Sequence, residues 1–150
     1  MKKAVLLINL GTPNSASIVS VWKFLCQFLM DSRVIDIPFL IRLFLVNFII
    51  IPLRLFNSTK EYKKLWSKFS VSPLLDFTQK LTLKLNSKFN TKADFYFAMR
   101  YQNPSIVSVL KEIYAKNYDE LIILPLYPQY ASASTGSTIE HCNKIINKWW

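Results

Sequence analysis

Residues 121–137 read LIILPLYPQYASASTGS, and this stretch decides how the rest of the chain is arranged. It begins with a short apolar run, Leu121 to Leu124. An apolar run of this length, bounded by turn residues, predicts a buried strand of a parallel sheet. Pro125 and Pro128 end the strand, because proline has no N–H to donate to a neighbouring strand.

The loop that follows this strand is polar and surrounds Gly136, one of only two glycines in the chain. Its hydroxyl, amide and aromatic side chains are Gln129, Tyr130, Ser132, Ser134, Thr135 and Ser137. From about Thr138 the pattern predicts a final helix. Open α/β sheets bind ligands in loops at the carboxyl ends of their strands. Two interpretations remain open here, a ligand-binding loop and an ordinary connection between a strand and a helix.

Two further apolar runs predict strands, and each precedes a predicted helix. Ala4 to Asn9 is the first, and a glycine turn leads from it to a helix that Ser15 or Ser17 can cap. Asp94 to Met99 is the second, and the next helix opens at Pro104 or Ser105. Alternating strands and helices predict an α/β fold, with a parallel sheet and helices on both faces. A single glycine turn is too weak a signal to predict a nucleotide site.

Composition limits the classes of protein that remain. The chain has 150 residues, enough for one domain with a core, and it is 51% hydrophobic, which excludes a disordered protein. The net charge of +10 favours an anionic partner. Nucleic acid is disfavoured because the lysines are scattered. Cys26 and Cys142 have no metal-type spacing, which favours reduced structural thiols. The first residues contain too short an apolar run for a signal peptide.

Residues 39–56, FLIRLFLVNFIIIPLRLF, are the most apolar part of the chain. Their number approaches the roughly 20 apolar residues that a membrane-spanning helix needs. Arg42, Asn47, Pro52 and Arg54 argue against spanning, since an arginine near the bilayer centre is costly. A helix that lies on a membrane surface and a helix of the protein core both remain open.

Two other helical segments show no pattern that indicates catalysis. A helix that begins at Pro73 has a predicted apolar stripe, formed by Leu74, Phe77, Leu81, Leu85 and Phe89. His141, the single histidine of the chain, is placed on the polar side of the final helix. We expect it to be a solvated helix residue. The sequence contains no cluster with metal-ligand spacing.

Three sequence blocks resemble the ferrochelatase family. They are Leu7 to Pro13 (LINLGTP), Met99 to Pro104 (MRYQNP), and Leu124 to Tyr130 (LPLYPQY) with the following STGS. Shorter matches are RVIDIP at 33–38 and SPL at 72–74, although Ser70 and Val71 stand where the family usually has glycines. Members of that family are considerably longer. The resemblance therefore implies that residues 1–150 are the N-terminal lobe of a two-lobed chelatase-like fold.

The function implied by this resemblance is the insertion of Fe²⁺, as substrate, into protoporphyrin or coproporphyrin to form haem. The resemblance implies porphyrin-binding roles for Leu10, Arg54, Tyr62, Ser72 and Tyr127. The chemistry of their side chains adds Arg100, Tyr130 and Thr138 to the candidate porphyrin-binding residues. Tyrosines can lie against a macrocycle, and arginines can pair with its carboxylates. Each of these residues alone has a structural alternative, and Arg100 in particular can be an ion-pair partner.

The same resemblance places the family's catalytic histidine and glutamate beyond residue 150, so we expect no catalytic residue and no metal ligand in this segment. Ser132 stands where some members carry an iron–sulfur cysteine, so no bound cofactor is expected either. We expect a cytoplasmic protein that can contact the inner face of the membrane and does not bind nucleic acid. The alternative function is a porphyrin- or haem-binding module on the membrane surface, without chelatase activity.

Overall fold

A three-stranded parallel sheet organises the structure. The computed structural model describes residues 1–69, 71–89 and 91–149. Its strands are β1 (Lys3–Gly11), β2 (Asp94–Tyr101) and β3 (Glu120–Pro125), in the order β2-β1-β3. Each strand is longer than the apolar run that predicted it, because backbone pairing continues into the flanking residues. The predicted α/β class with a parallel sheet is confirmed.

Six α-helices and two π-helical segments surround the sheet in the part of the chain that the structure describes. They are α1 (Ile18–Leu29), α2 (Phe39–Phe44), a π-helical segment (Leu45–Ile50), α3 (Ile51–Lys68), α4 (Pro73–Phe89), α5 (Ile106–Ala115), a second π-helical segment (Ser132–Gly136) and α6 (Ser137–Trp149). Serines cap α1 and α5 as predicted. The Ser17 hydroxyl accepts the Ser20 N–H at 3.2 Å, and Ser105 accepts the Ser108 N–H at 3.1 Å.

Helices cover both faces of the central strand. Ala4, Leu6 and Ile8 are fully buried in a cluster with apolar residues of α5 and α6. Side chains alternate along a strand, so Leu7 and Asn9 face the other way. There the Asn9 amide donates to the Thr78 hydroxyl of α4 at 3.2 Å. Burial on both faces explains why β1 is the most continuously apolar strand.

The prediction that residues 121–124 are buried is wrong for one face. β3 is an edge strand, and its Ile122 and Leu124 side chains are 41% and 46% exposed. The register pairs them with Val5 and Leu7, so they share the α4 side of the sheet. Helix α4 packs on β2 and β1. This leaves the same side of β3 open to solvent.

The predicted apolar stripe of α4 is also not its buried face. Phe77 and Leu81 are 65% and 40% exposed, whereas Thr78 and Thr82 are buried. The two threonine hydroxyls donate to backbone carbonyls one turn earlier in the same helix, at 2.7 and 2.8 Å, which satisfies them inside the core. Small residues let the helix approach the sheet closely. Phe77 and Leu81 are therefore directed outward, whereas Leu74, Leu85 and Phe89 of the predicted stripe are half-buried.

Residues 39–68 form one continuous helical rod that contains a π-helical segment. Pro52 lies at the start of α3, where it has no N–H to donate to the preceding turn. The π-helical segment directly before it adjusts the hydrogen-bond pattern at this point. By length and composition the rod is apolar enough to cross a membrane, and only 17% of its most apolar window is buried. Most of this segment is therefore not buried in the core formed by the described residues.

Gly11 ends β1 in a conformation that requires glycine. Its φ of +105° lies in the left-handed region that L side chains rarely adopt. A Cβ at this position would lie 2.0 Å from the carbonyl oxygen of Tyr101. The ends of β1 and β2 thus approach so closely that no side chain fits between them.

Candidate functional site

A polar network lies at the carboxyl ends of the strands and is centred on Asp31. Arg100, near the end of β2, donates from Nη2 to Asp31 Oδ2 at 2.7 Å. The Tyr101 hydroxyl donates to the same oxygen at 2.8 Å, and the Ser137 hydroxyl donates to it as well. The Arg33 N–H donates to the other carboxylate oxygen at 2.8 Å. One carboxylate therefore joins the turn after α1 to β2 and to the first turn of α6.

Arg100 is held from several sides. Its Nε donates to the Ser137 hydroxyl at 2.8 Å, and its guanidinium lies 4.7 Å from the Tyr101 ring centroid. Its side chain is 15% exposed and that of Asp31 is 8% exposed. The structure therefore shows the ion pair that was one of the alternatives for Arg100. Its charge is largely neutralised by Asp31.

The network changes the acidity of its members. Burial alone would raise the pKa of Asp31, but the hydrogen bonds from Ser137, the Arg33 N–H and Tyr101, together with the charge of Arg100, outweigh it and lower the pKa. Burial is the main cause that raises the pKa of Tyr101 to about 12. The carboxylate is thus ionised and the phenol is neutral at physiological pH, which is the arrangement that the hydrogen bonds require.

His141 is not the solvated residue that the sequence predicted. It is half-buried and lines a polar cavity of about 220 Å³ together with Asp31 and Arg100. Burial lowers the pKa of His141, and the charge of Arg100 lowers it further, while Asp31 acts in the opposite direction. The prediction failed because α6 packs beside the strand ends, so the polar side of its first turns faces this network.

Two predicted site residues meet beside the network. The Tyr127 hydroxyl lies 3.2 Å from the Thr138 hydroxyl. Thr138 is fully buried, and Tyr127 is partly buried, which raises the pKa of its phenol. Arg100 is near enough to influence that phenol electrostatically. The structure therefore brings Arg100, Tyr127 and Thr138 into one region.

Leu10 and Tyr62 lie in a second region. Both pack against the apolar cluster between α1 and α3. The Tyr62 ring is edge-on to Phe24 and Trp66, with centroid distances of 6.2 and 5.8 Å. An open cavity of about 550 Å³ adjoins Tyr62 and is bounded on its other sides by Asn57, Ser58, Glu61 and Leu65. Burial raises the pKa of the Tyr62 phenol, so it is a neutral hydrogen-bond donor there.

The remaining predicted residues are separate from both groups. Arg54 is exposed on α3, eight residues before Tyr62, or about 12 Å along the helix axis at 1.5 Å per residue. Ser72 is 3% exposed just before α4. Tyr130 is 75% exposed and borders an outer cavity with Arg33 and Gly136. Ser70 lies outside the described residues.

Two members of the network, Asp31 and Tyr101, were not predicted as site residues from the sequence, and Ser137 was named only as one hydroxyl of the loop after β3. Asp31 is 69 positions from Arg100 and 106 from Ser137, so no local pattern links them. The sequence did contain one chemical signal that could have pointed to this network. A partly buried arginine at a strand end needs a carboxylate, and this basic chain has only nine acidic residues to supply one.

The described residues offer no resident metal site. Within 1–69, 71–89 and 91–149, no group of three or more His, Cys, Asp and Glu side chains is placed to hold a metal ion. Cys26 and Cys142 are both free thiols. Burial raises the pKa of Cys142 to about 12, which makes it a poor metal ligand.

Comparison with known proteins accounts for these strand-end motifs. The family model described as Ferrochelatase matches residues 2–150. The chain belongs to the ferrochelatase family. Its resemblance blocks at 7–13, 99–104 and 124–130 lie at the carboxyl ends of β1, β2 and β3. The three ferrochelatase-like blocks are thus neighbours in space although they are far apart in the chain.

Curated ferrochelatases from several bacteria are similar to this chain. Ferrochelatase 2 of Shewanella oneidensis is 38% identical over 151 residues, which cover 99% of this chain and 46% of that protein. The ferrochelatase of Legionella pneumophila subsp. pneumophila is 45% identical over 140 residues, which cover 93% of this chain and 41% of that protein. The ferrochelatase of Bdellovibrio bacteriovorus is 36% identical over 147 residues, which cover 98% of this chain and 44% of that protein. The chain therefore spans somewhat less than half the length of these ferrochelatases.

Proposed function

We propose that this chain is the porphyrin-holding lobe of a ferrochelatase, an enzyme that inserts Fe²⁺ into protoporphyrin or coproporphyrin to form haem. The observation that carries the proposal is the family match over residues 2–150. The strand-end position of the family blocks supports it, because that edge is where open α/β sheets bind ligands. The iron is a substrate, and the lobe itself holds no resident cofactor.

The two regions of the site have different roles in this proposal. Leu10 and Tyr62 provide an apolar and aromatic surface for one side of the flat macrocycle. Tyr127 and Thr138 provide neutral hydroxyl groups at the strand ends. Arg100 is largely neutralised by Asp31, so its role is to hold this edge in shape rather than to supply a free positive charge.

The porphyrin carboxylates need charged partners that are still free. Arg54 is exposed, and among the described residues it has no ion-pair partner. It lies on the same helix as Tyr62, so a carboxylate at the rim of a ring stacked on Tyr62 can reach it. Ser72 and the exposed Tyr130 complete the proposed porphyrin-binding set as hydrogen-bond donors.

Metal insertion also requires a base that accepts the pyrrole protons. His141 faces the Asp31 network and is shielded by burial, which makes it a poor candidate. We therefore propose that the catalytic base and the metal-delivering groups are supplied outside residues 1–150. The chain by itself is expected to bind porphyrin weakly and not to form haem above the uncatalysed rate.

Contact with a membrane surface is the second part of the proposal. Along the helix that begins at Phe39, apolar side chains are exposed to solvent, including Leu40 (75%), Phe48 (70%), Leu53 (73%) and Phe56 (70%). Contiguous exposed apolar surface is a mark of protein or membrane contact. Together with the net charge of +10, it favours an anionic leaflet, so we place the protein in the cytoplasm and peripherally on the inner face of the membrane.

Fluorescence titration with protoporphyrin and with its dimethyl ester tests the porphyrin site. Arg54→Ala should weaken binding of the acid by about 1.5–3 kcal/mol, the contribution of a charge-assisted hydrogen bond, and should leave the ester almost unaffected. Lys84→Ala, which removes an exposed charge on α4, is the matched control and should change neither. Equal weakening of both ligands would make Arg54 structural. If neither form of the porphyrin binds to the unmodified chain, the proposed site is wrong.

A further inference from the structure

Arg42 is a buried arginine in an otherwise exposed apolar segment. It is 8% exposed, whereas its neighbours Leu40, Ile41 and Leu43 are 75%, 58% and 40% exposed. Its Nη1 donates to the Ile35 and Ile37 carbonyls at 3.0 and 3.3 Å. Its Nε is buried and has no hydrogen-bond partner among the described residues. A buried cation that has no anionic partner is unfavourable unless a ligand supplies one.

Arg42 lines the polar cavity of about 220 Å³ that also contains His141. At about 30 Å³ per water in the liquid, that volume would hold roughly seven waters, which is enough for a phosphate or carboxylate group. The other lining residues are Met30, Asp31, Ser32, Arg100, Ser137, Glu140 and Lys144.

The charges around this cavity leave one cation unbalanced. Asp31 is paired with Arg100 at 2.7 Å, and Glu140 is paired with Lys144 at 2.5 Å and with Arg33. Neither carboxylate forms an ion pair with Arg42 in the described structure. The excess positive charge therefore faces a space that an anion can enter.

We propose that this cavity binds a small oxyanion, a phosphate or carboxylate group, with the Arg42 guanidinium as its principal cationic partner. Ser32, on the turn before α2, and Lys144, on α6, are the other donors that line the cavity and are not used by the Asp31 network. Such an anion would link α2, the turn after α1, and α6. It would then fix the start of the exposed apolar helix against the strand-end site.

The single histidine of the chain makes the proposal directly measurable. Every imidazole signal in an NMR spectrum comes from His141, which lines the same cavity. Inorganic phosphate, added against chloride at constant ionic strength, should shift these signals in a saturable way. The groups that face His141 are Asp31, Arg100, Glu140, Lys144 and Arg42. A bound anion adds negative charge among them and stabilises the imidazolium, so the pKa of His141 should rise when phosphate is bound.

Three variants test the role of Arg42. Arg42→Lys keeps the charge but removes the guanidinium, and it should weaken phosphate binding about ten-fold or more, as expected for loss of a charge-assisted hydrogen bond. Lys144→Gln changes an exposed side chain, so it retains the fold and should weaken binding less. Lys84→Gln, on α4, should leave phosphate binding unchanged. No saturable shift in the unmodified chain, or undiminished phosphate binding by a folded Arg42→Lys variant, would overturn the proposal.

A competition experiment identifies the source of the oxyanion, and this arm alone rests on the proposed function. If protoporphyrin displaces phosphate and its dimethyl ester does not, the occupant is a porphyrin carboxylate. If neither displaces phosphate, the site takes a free oxyanion. If the proposed function is wrong, porphyrin will not bind but phosphate still will. If the oxyanion site is wrong, phosphate itself will not bind, so the two failures are distinguishable.

Discussion

Replacement of Asp31 by asparagine should lower the free energy of unfolding by about 3–5 kcal/mol at neutral pH, the range for removal of one partner from a buried ion pair. The Asp31 and Arg100 side chains are 8% and 15% exposed, so solvent does little to compensate the guanidinium that remains. Tyr101 and Ser137 also donate to this carboxylate. Asparagine is nearly isosteric, so the effect reports the lost charge and hydrogen bonds rather than a cavity.

The effect should depend on pH in a defined direction. The pKa of Asp31 is depressed in the folded protein, so its contribution is complete above the pKa of an unfolded aspartate, about 3.9. It is lost as the pH falls through the lower pKa of the folded state. The difference in stability between the unmodified chain and Asp31→Asn should therefore be constant from pH 7 to about pH 5 and shrink below about pH 4.

Urea unfolding followed by circular dichroism at several pH values measures this difference. Asp76→Asn is the matched control, because Asp76 pairs with Lys80 on the surface of α4. A surface pair contributes about 0–1 kcal/mol, so the control should be almost neutral. An Asp31→Asn variant within about 1 kcal/mol of the unmodified chain at pH 7 would show that the network does not stabilise the strand ends as argued.

Two further predictions concern the fold and the membrane. Gly11→Ala should lower the free energy of unfolding by more than about 1 kcal/mol, because the left-handed φ and the Tyr101 carbonyl exclude a side chain. Urea unfolding measures this, and an unchanged midpoint would contradict the prediction. Phe44→Asp combined with Phe48→Asp should abolish salt-sensitive sedimentation with anionic vesicles without unfolding the chain, because the two stacked rings are 58% and 70% exposed. Retained vesicle binding would mean that this face does not contact the membrane.

Much of the fold could be predicted because its signals are local. Apolar runs marked all three strands, and a serine that precedes an apolar periodic segment marked the cap of α1 at Ser17. The α4 helix shows where such signals fail. Its most apolar stripe includes Phe77 and Leu81, yet Thr78 and Thr82 face the sheet. Hydrophobicity alone cannot show that a threonine hydroxyl is satisfied within its own helix.

The candidate site was predictable only where a family motif marked it. Tyr127 was named from the motif at the end of β3, and Thr138 was named as a hydroxyl group just after that motif. The structure places the two hydroxyl groups 3.2 Å apart. Asp31 lies in a turn outside the family motifs, and its importance comes from hydrogen bonds to residues that are distant in sequence. His141 was misplaced for a related reason, since the orientation of α6 depends on packing at the strand ends. Such long-range pairings have no signature in the local pattern.

The most direct test of the central claim is iron insertion by a chimera. In it, this chain replaces the matching 140-residue segment of the Legionella pneumophila ferrochelatase. Anaerobic conversion of protoporphyrin and Fe²⁺ into haem, followed by absorbance, should occur with the chimera and not with residues 1–150 alone. A chimera that unfolds cooperatively and binds protoporphyrin, yet inserts iron no faster than the uncatalysed reaction, would contradict the account. So would haem formation by the isolated chain that disappears in His141→Ala.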